Sequence, residues 1–182
     1  NPVPEPVPAP TPAPAPKPTP SVVVDGVKVA TKTTTAADGT KHETVTIPTV
    51  VSSRTNTDGA TAVADIPLVT SSAGVKVLEA SVPVGFGLQV SGAATAKAAP
   101  DSLAGLIAAI EARTAAGSPA QNALVSGGSS FLDGLDAATP MVVRTIVASA
   151  AIGASASSEA LVISGAVHTA GAPQTALVID TS

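Results

Sequence analysis

Val22-Val23-Val24-Asp25-Gly26-Val27-Lys28-Val29-Ala30-Thr31-Lys32-Thr33-Thr34-Thr35, answered after a turn at Ala37-Asp38-Gly39 by His42-Glu43-Thr44-Val45-Thr46-Ile47, decides the fold. In the run from Val27 to Thr35, Val and Thr recur at every second position, the period of a half-buried strand. Asp-Gly between such runs is a strong hairpin signal, because a tight two-residue turn needs positive φ at both positions. Pro48 has no amide proton to give a ladder, so the strand ending at Ile47 stops there. The stretch therefore predicts antiparallel sheet.

Working outward, Ser52, Ser53, Asn56, Asp58 and Gly59 give residues 52–63 a loop composition. Short strands are expected at Ala64–Thr70, Val75–Ala80 and Val84–Val90. Gly85 and Gly87 within the last mark a bulge or a close backbone approach. Leu103, Leu106, Ile107 and Ile110 repeat at helical spacing, so residues 101–117 read as a helix capped by Asp101 or Ser102 and closed at Gly117. Ser118-Pro119-Ala120-Gln121 has the form of a capping box with proline at the first helical position. It opens a second, short helix expected to stop at Gly127-Gly128, with Phe131, Leu132 and Leu135 forming one more turn. Strand texture returns at Met141–Ala148, Ala160–Ser164 and Ala176–Thr181. The expected class is α+β: mostly antiparallel, sandwich-like sheet in a single β-rich domain over 21–182, with a helical insert at about 101–135.

Upstream, residues 1–20 carry ten prolines, one at every second position from Pro2 to Pro20. Alternating prolines fix φ and hold each preceding residue extended, so this is a polyproline II-like spacer of about 3.1 Å per residue. The chain opens at Asn1 with no signal peptide, and a strand is expected almost to its last residue, at Ala176–Thr181. Both features are read as those of a piece of a longer polypeptide that continues past 182.

Composition restricts what this domain does. Two Phe, no Trp and no Tyr leave Val, Ile, Leu and Ala to build the core. Charged residues make up 12%, against about 25% in ordinary domains. The apolar fraction of 45% is nevertheless high enough for folding. A net charge of −4, with no Lys/Arg cluster and no aromatic platform, argues against nucleic acid as a partner. The absence of cysteine removes disulfides, thiolate metal sites and cysteine nucleophiles. The uncharged run from Thr145 to Ser158 is too short to span a membrane, and Ala160–Ile179 is broken by polar residues, Gly and Pro173.

Reactive constellations are equally sparse. His42 beside Lys41 and Glu43 reads as a solvated hairpin residue, and His168 as a loop residue; neither has metal-ligand spacing. Asp25, Asp38, Asp58 and Asp133 each precede a glycine, but no EF-hand or Gly-Gly-x-Gly-x-Asp pattern surrounds them, so turns account for them. Asp133 and Asp136 share a helical turn without forming a ligand set. Gly127-Gly128-Ser129-Ser130-Phe131 begins like a nucleophile elbow, with Phe131 where the closing glycine belongs. Sugar cleavage by paired carboxylates would lack aromatic stacking surfaces. No catalytic, cofactor-binding or metal residue is assigned, and the chain is read as no enzyme.

Val24-Asp25-Gly26-Val27, Val45-Thr46-Ile47-Pro48, Ala64-Asp65-Ile66-Pro67-Leu68-Val69-Thr70, Asp101-Ser102-Leu103-Ala104-Gly105-Leu106-Ile107 and Ala176-Leu177-Val178-Ile179-Asp180-Thr181-Ser182 together resemble a segment of large bacterial exported proteins. These are the haemolysin-type calcium-binding repeat proteins, in which the segment precedes the repeat array. The resemblance covers roughly 22–182, and the defining nonapeptides are absent from this chain. It implies export without a cleaved N-terminal signal, calcium-assisted folding of the parent, and a place outside the cell or on its surface.

The expected function is thus a non-catalytic structural or spacer module of a secreted surface, adhesin-like or matrix protein, partnered by neighbouring domains of its own polypeptide. One alternative is a self-assembling subunit of an extracellular filament or lattice, pairing through the uncharged strands at Leu161-Val162-Ile163 and Leu177-Val178-Ile179. Another is glycan or host-ligand binding through loops 52–63 and 126–140.

Overall fold

A computed structural model describes residues 20–37, 39–70, 74–151, 159–165 and 173–180. The expected spacer, apart from Pro20, lies outside these residues. The strands are β1 (Ser21–Val24), β2 (Val27–Thr35), β3 (Lys41–Ile47), β4 (Val63–Thr70), β5 (Lys76–Pro83), β6 (Phe86–Ala93), β7 (Lys97–Ala98), β8 (Pro140–Ala150), β9 (Val162–Gly165) and β10 (Gln174–Asp180). Two helices, α1 (Ala99–Glu111) and α2 (Pro119–Asp133), separate β7 from β8. The class is α+β and β-rich, as the alternation predicts.

A seven-stranded sheet runs β1-β2-β3-β6-β8-β10, with β7 also on β8, and a three-stranded sheet runs β4-β5-β9. All pairs are antiparallel except β10 with β8, which is parallel from Gln174↔Met141 to Asp180↔Val147. That exception follows from connectivity. The chain leaves β8 for β9 in the smaller sheet and returns to the larger one in the direction of β8, as a crossover connection requires.

Period-two alternation sorts the side chains into two cores. Val27, Val29, Val45, Ile47, Leu88, Val90 and Ile146 from the large sheet meet Ala64, Ile66, Leu68, Leu78, Ala80 and Val82 from the small one. The opposite face of the large sheet gives Met141 and Ala176 to a second core with Ala99, Leu106, Ile110 and Leu132 of the helical segment. β8 serves both: Met141 and Val143 lie under the helices, while Ile146 and Ala148 lie between the sheets. Helix layer, large sheet and small sheet are thereby stacked in that order.

Several boundaries differ from the sequence reading. α1 begins at Ala99 with Pro100 in its first turn, where a missing amide proton is harmless. Its N-cap is Ala98, with no side-chain cap, and Ser102 is instead buried with its hydroxyl donating to the Ala98 carbonyl at 3.1 Å. The helix ends at Glu111, six residues before Gly117, because 111–117 contribute no buried side chain and the Thr114 hydroxyl bonds the Ile110 carbonyl at 2.8 Å. Gly117, at φ 70°, closes the turn that follows. Ser118 does cap α2, accepting from the Gln121 amide at 3.1 Å.

α2 then passes straight through Gly127-Gly128 to Asp133. Glycine in a helix costs about 1 kcal/mol relative to alanine, but a Cβ on Gly128 would come within 2.9 Å of Leu106 Cδ2. The small residue lets α2 close on α1, and packing overrides propensity.

At the corner between sheets, Gly85 has φ 90° and lies before β6, not within it. Gly87 makes the close approach: a Cβ there would be 2.9 Å from the Ile47 carbonyl oxygen. Gly92 is tighter still, at 2.1 Å from the Val143 carbonyl oxygen, whereas Gly105 on α1 has open space around it. The same substitution should therefore have opposite signs at these two positions. Gly92→Ala should lose about 1–3 kcal/mol by overpacking, and Gly105→Ala should gain about 0.5–1 kcal/mol, as measured by denaturant midpoints.

Candidate functional site

The Asp25-Gly26 turn takes φ values of 44° and 72°, the primed geometry that its sequence demands. It does not end in solvent. Gly26 lies so close to Thr55 that a Cβ would approach its carbonyl oxygen to 2.4 Å, and the Asp25 side chain is turned inward against Arg54.

Arg54 and Asp25 form an ion pair at 2.9 Å (Nη1 to Oδ2), with side chains 2% and 4% exposed. The directed hydrogen bond of Nη1 goes to the Asp25 carbonyl at 3.1 Å, and Nη2 donates to the carbonyls of Ala60, at 2.7 Å, and Val63. Asp25 Oδ1 accepts from the Thr57 amide at 2.8 Å and the Thr57 hydroxyl at 3.1 Å. One buried guanidinium thus joins the β1–β2 turn, the loop over 52–62 and the start of β4.

The rest of that loop is held by its own side chains. Asn56 Nδ2 donates to Asp58 Oδ1 at 3.0 Å and to the Ala60 carbonyl at 2.9 Å, and Asp58 Oδ1 also accepts from the Ala60 amide at 2.8 Å. The Ala60 amide, and then the Asn56 side chain, hold the Asp58 carboxyl below its ordinary value of 3.8. Gly59, at φ 90°, completes the turn expected of Asp58-Gly59.

A second charged pair lies on the sheet face between the two layers, its arginine side chain buried and its glutamate half-buried. Glu43 on β3 and Arg144 on β8 flank Gly92 on β6 in register. Arg144 Nη2 donates to Glu43 Oε2 at 3.0 Å. Because Gly92 has no side chain, the Arg144 chain crosses it; a Cβ would lie 3.1 Å from Arg144 Cδ. The pair lines a cleft of about 600 Å³ between the sheets.

A third feature is an apolar groove of about 630 Å³ along β10, walled by Leu106, Ile110, Leu124 and Phe131 of the helices. Arg113 Nε and Asp180 face each other at 3.7 Å on its rim. β10 and β9 are each the outermost strand of their sheets, so Leu177-Val178-Ile179 and Val162-Ile163 lie at edges, with Ile179 54% exposed.

The residues weighed for chemistry are dispersed. His42 is exposed on β3, opposite Thr34 and Ala93. His168 and Asp38 lie outside the described residues. Asp133 ends α2 in solvent, and Asp136 accepts from the Ala138 amide at 2.8 Å. The Ser129 hydroxyl donates to the Val125 carbonyl at 2.9 Å inside α2. Among the described residues no group of three or more His, Asp or Glu is placed to hold a metal ion. No helix among them is long and apolar enough to cross a membrane. Sequence reading did not find either pair; a lone arginine in each uncharged stretch was the available sign.

Breaking a buried pair strands the remaining charge, at about 3–5 kcal/mol. Arg54→Met and Asp25→Asn should each destabilise by that order, and the double variant by clearly less than their sum, in a urea double-mutant cycle. Asp58 has a lowered folded-state pKa, so its contribution is complete above 3.8 and is lost as pH falls through the folded value. A carboxyl ¹³C titration should show its midpoint below 3.8, and Asn56→Ala should move it back upward. No family model matches the chain, and no curated protein or solved structure matches it either.

Proposed function

We propose that this chain is a non-catalytic structural module of a large secreted bacterial surface, adhesin-like or matrix protein, serving as a spacer between neighbouring domains. The observation that carries this reading is the placement of β1 and β10. They are the two outermost strands of the seven-stranded sheet and, counting one parallel and four antiparallel steps between them, they point the same way. Ser21 and Asp180 lie in one row of the sheet, through Ala30, Thr46, Gln89 and Val147, on opposite edges. The chain therefore enters and leaves this sheet at one level, with its two ends held apart by the sheet's breadth, about 4.8 Å for each of the strand steps between them.

The buried charges support the same reading. Arg54 and Asp25 lock the first hairpin to the connection between the sheets. The Thr31 amide donates to the Pro20 carbonyl at 3.0 Å, extending the β1–β2 pairing to its margin. The resemblance to exported calcium-binding repeat proteins supplies the extracellular setting.

A second reading, self-assembly, is favoured by one observation: the two uncharged strands β9 and β10 both occupy sheet edges, the position from which strands add to another chain.

Two measurements separate these readings. Spin labels attached at residues 20 and 180 should give one narrow distance distribution, unchanged whether or not residues 1–19 are present. A broad distribution would remove the spacer role. For self-assembly, light scattering should show concentration-dependent growth that Ile179→Lys abolishes without loss of the folded spectrum. A wild-type monomer at all concentrations excludes it.

A further inference from the structure

Among the described residues no strand pairs with the outer side of β10, and every residue from Thr175 to Asp180 lines the groove beside it. Successive residues of a strand point to opposite faces, so a groove lined by all of them runs along the backbone edge. Leu124 and Phe131 of α2, both exposed, form its other wall. The groove is thus a slot beside an unpaired strand edge, roofed by apolar side chains.

At the opposite edge, the described residues fix the hydrogen-bonding phase of β1. The Thr31 amide donates to the Pro20 carbonyl at 3.0 Å, one step beyond the pair Ser21↔Ala30. In an antiparallel ladder such pairs alternate, so even-numbered residues turn their backbone groups toward β2 and odd-numbered ones turn theirs outward. Upstream, proline occupies every even position from Pro2 to Pro20. Continued in that phase, the chain has no N–H to give its own sheet, while each odd residue keeps both N–H and C=O for a strand on the outer side. Each residue before a proline is also held extended. Alternate prolines in this phase suit a strand that pairs through its outer edge alone.

The two edges match in direction and in level. β1 and β10 point the same way, and Ser21 shares a row with Asp180. A second copy set beside the first by translation across the strands brings its residues 15–19 level with 174–178, parallel to β10. The same residues of the first copy cannot take that place, because Pro20 enters five strand steps away, about 24 Å.

We infer that the groove along β10 receives residues 15–19 of a second copy of this chain as an added parallel strand, joining copies head to tail in one continuous sheet. The inference rests on the self-assembly reading and names the surface that meets β10. Val22 and Val24 line the cleft between the sheets, so odd-numbered side chains fall on the helix side. Ala15 and Thr19 are small enough to lie under Leu124 and Phe131, and Lys17 is long enough to carry its ammonium out of the slot. Joining unlike edges leaves one of each kind open, so growth continues, whereas β10 paired with β10 closes a two-fold dimer.

The test shifts the phase of the prolines without changing their number. One alanine inserted between Pro20 and Ser21 turns every upstream proline to the outer side, and two alanines restore the original phase. In sedimentation at rising concentration, the unaltered chain should grow past a dimer to species several-fold heavier than one chain. The one-alanine chain should stay single, the two-alanine chain should grow like the unaltered one, and Leu124→Lys should stay single. Far-UV circular dichroism checks that each is folded. Equal growth of the one-alanine chain overturns the inference and leaves self-assembly standing. Growth that stops at a dimer overturns it as well. A single chain at every concentration removes both it and the self-assembly reading.

Discussion

The inward Asp25 side chain and the Arg54 guanidinium that meets it set the terms for the rest of the chain. A two-residue hairpin turn is ordinarily the most solvated point of a sheet. Here it is pressed against the connection that carries the backbone from one sheet to the other, with Gly26 admitting Thr55 at a distance no side chain would allow. Arg54 also binds carbonyls at Ala60 and Val63, so the same group fixes where β4 starts and hence which of its residues face the core. A one-residue slip in β4 would turn Ala64, Ile66 and Leu68 outward. In a protein with two Phe and no larger aromatic, register has to be set by such ties because no bulky side chain enforces it.

Much of the architecture was legible in residue order because its signals are local. β-branched alternation from Val27 to Thr35 and the Asp-Gly turn before it give the first hairpin, and Ser118 with Pro119 gives the start of α2. What could not be read is what depends on partners far along the chain. Gly127-Gly128 looks like a helix stop until Leu106 is known to lie against Gly128. Asp101 and Ser102 look like caps until Pro100 and Ala99 are drawn into the helix by burial of Ala99. The parallel pairing of β10 is invisible locally, since its alternation is the same in either direction.

The charged pairs were illegible for the same reason. Asp25 and Arg54 are separated by 29 positions and Glu43 and Arg144 by 101. Spacing rules for reactive sites search for groups close in sequence, and these groups are brought together by the sheet. Each sits where a glycine permits it, Gly26 beneath Thr55 and Gly92 beneath the Arg144 chain, so glycine and charge were read separately although they act as one unit.

The parallel step at the edge of the large sheet carries a consequence for the order in which the molecule is made. During synthesis β8 emerges with one side already paired to β6, while its other side waits for residues 174–180. Ala176 completes the layer beneath Leu106 and Ile110, so the helices too have an unfinished floor until that strand is out of the ribosome. Strand pairings formed late between distant segments are slow, and the open edge is exposed meanwhile. The newborn chain is thus most vulnerable to mispairing in the interval before its final described strand arrives.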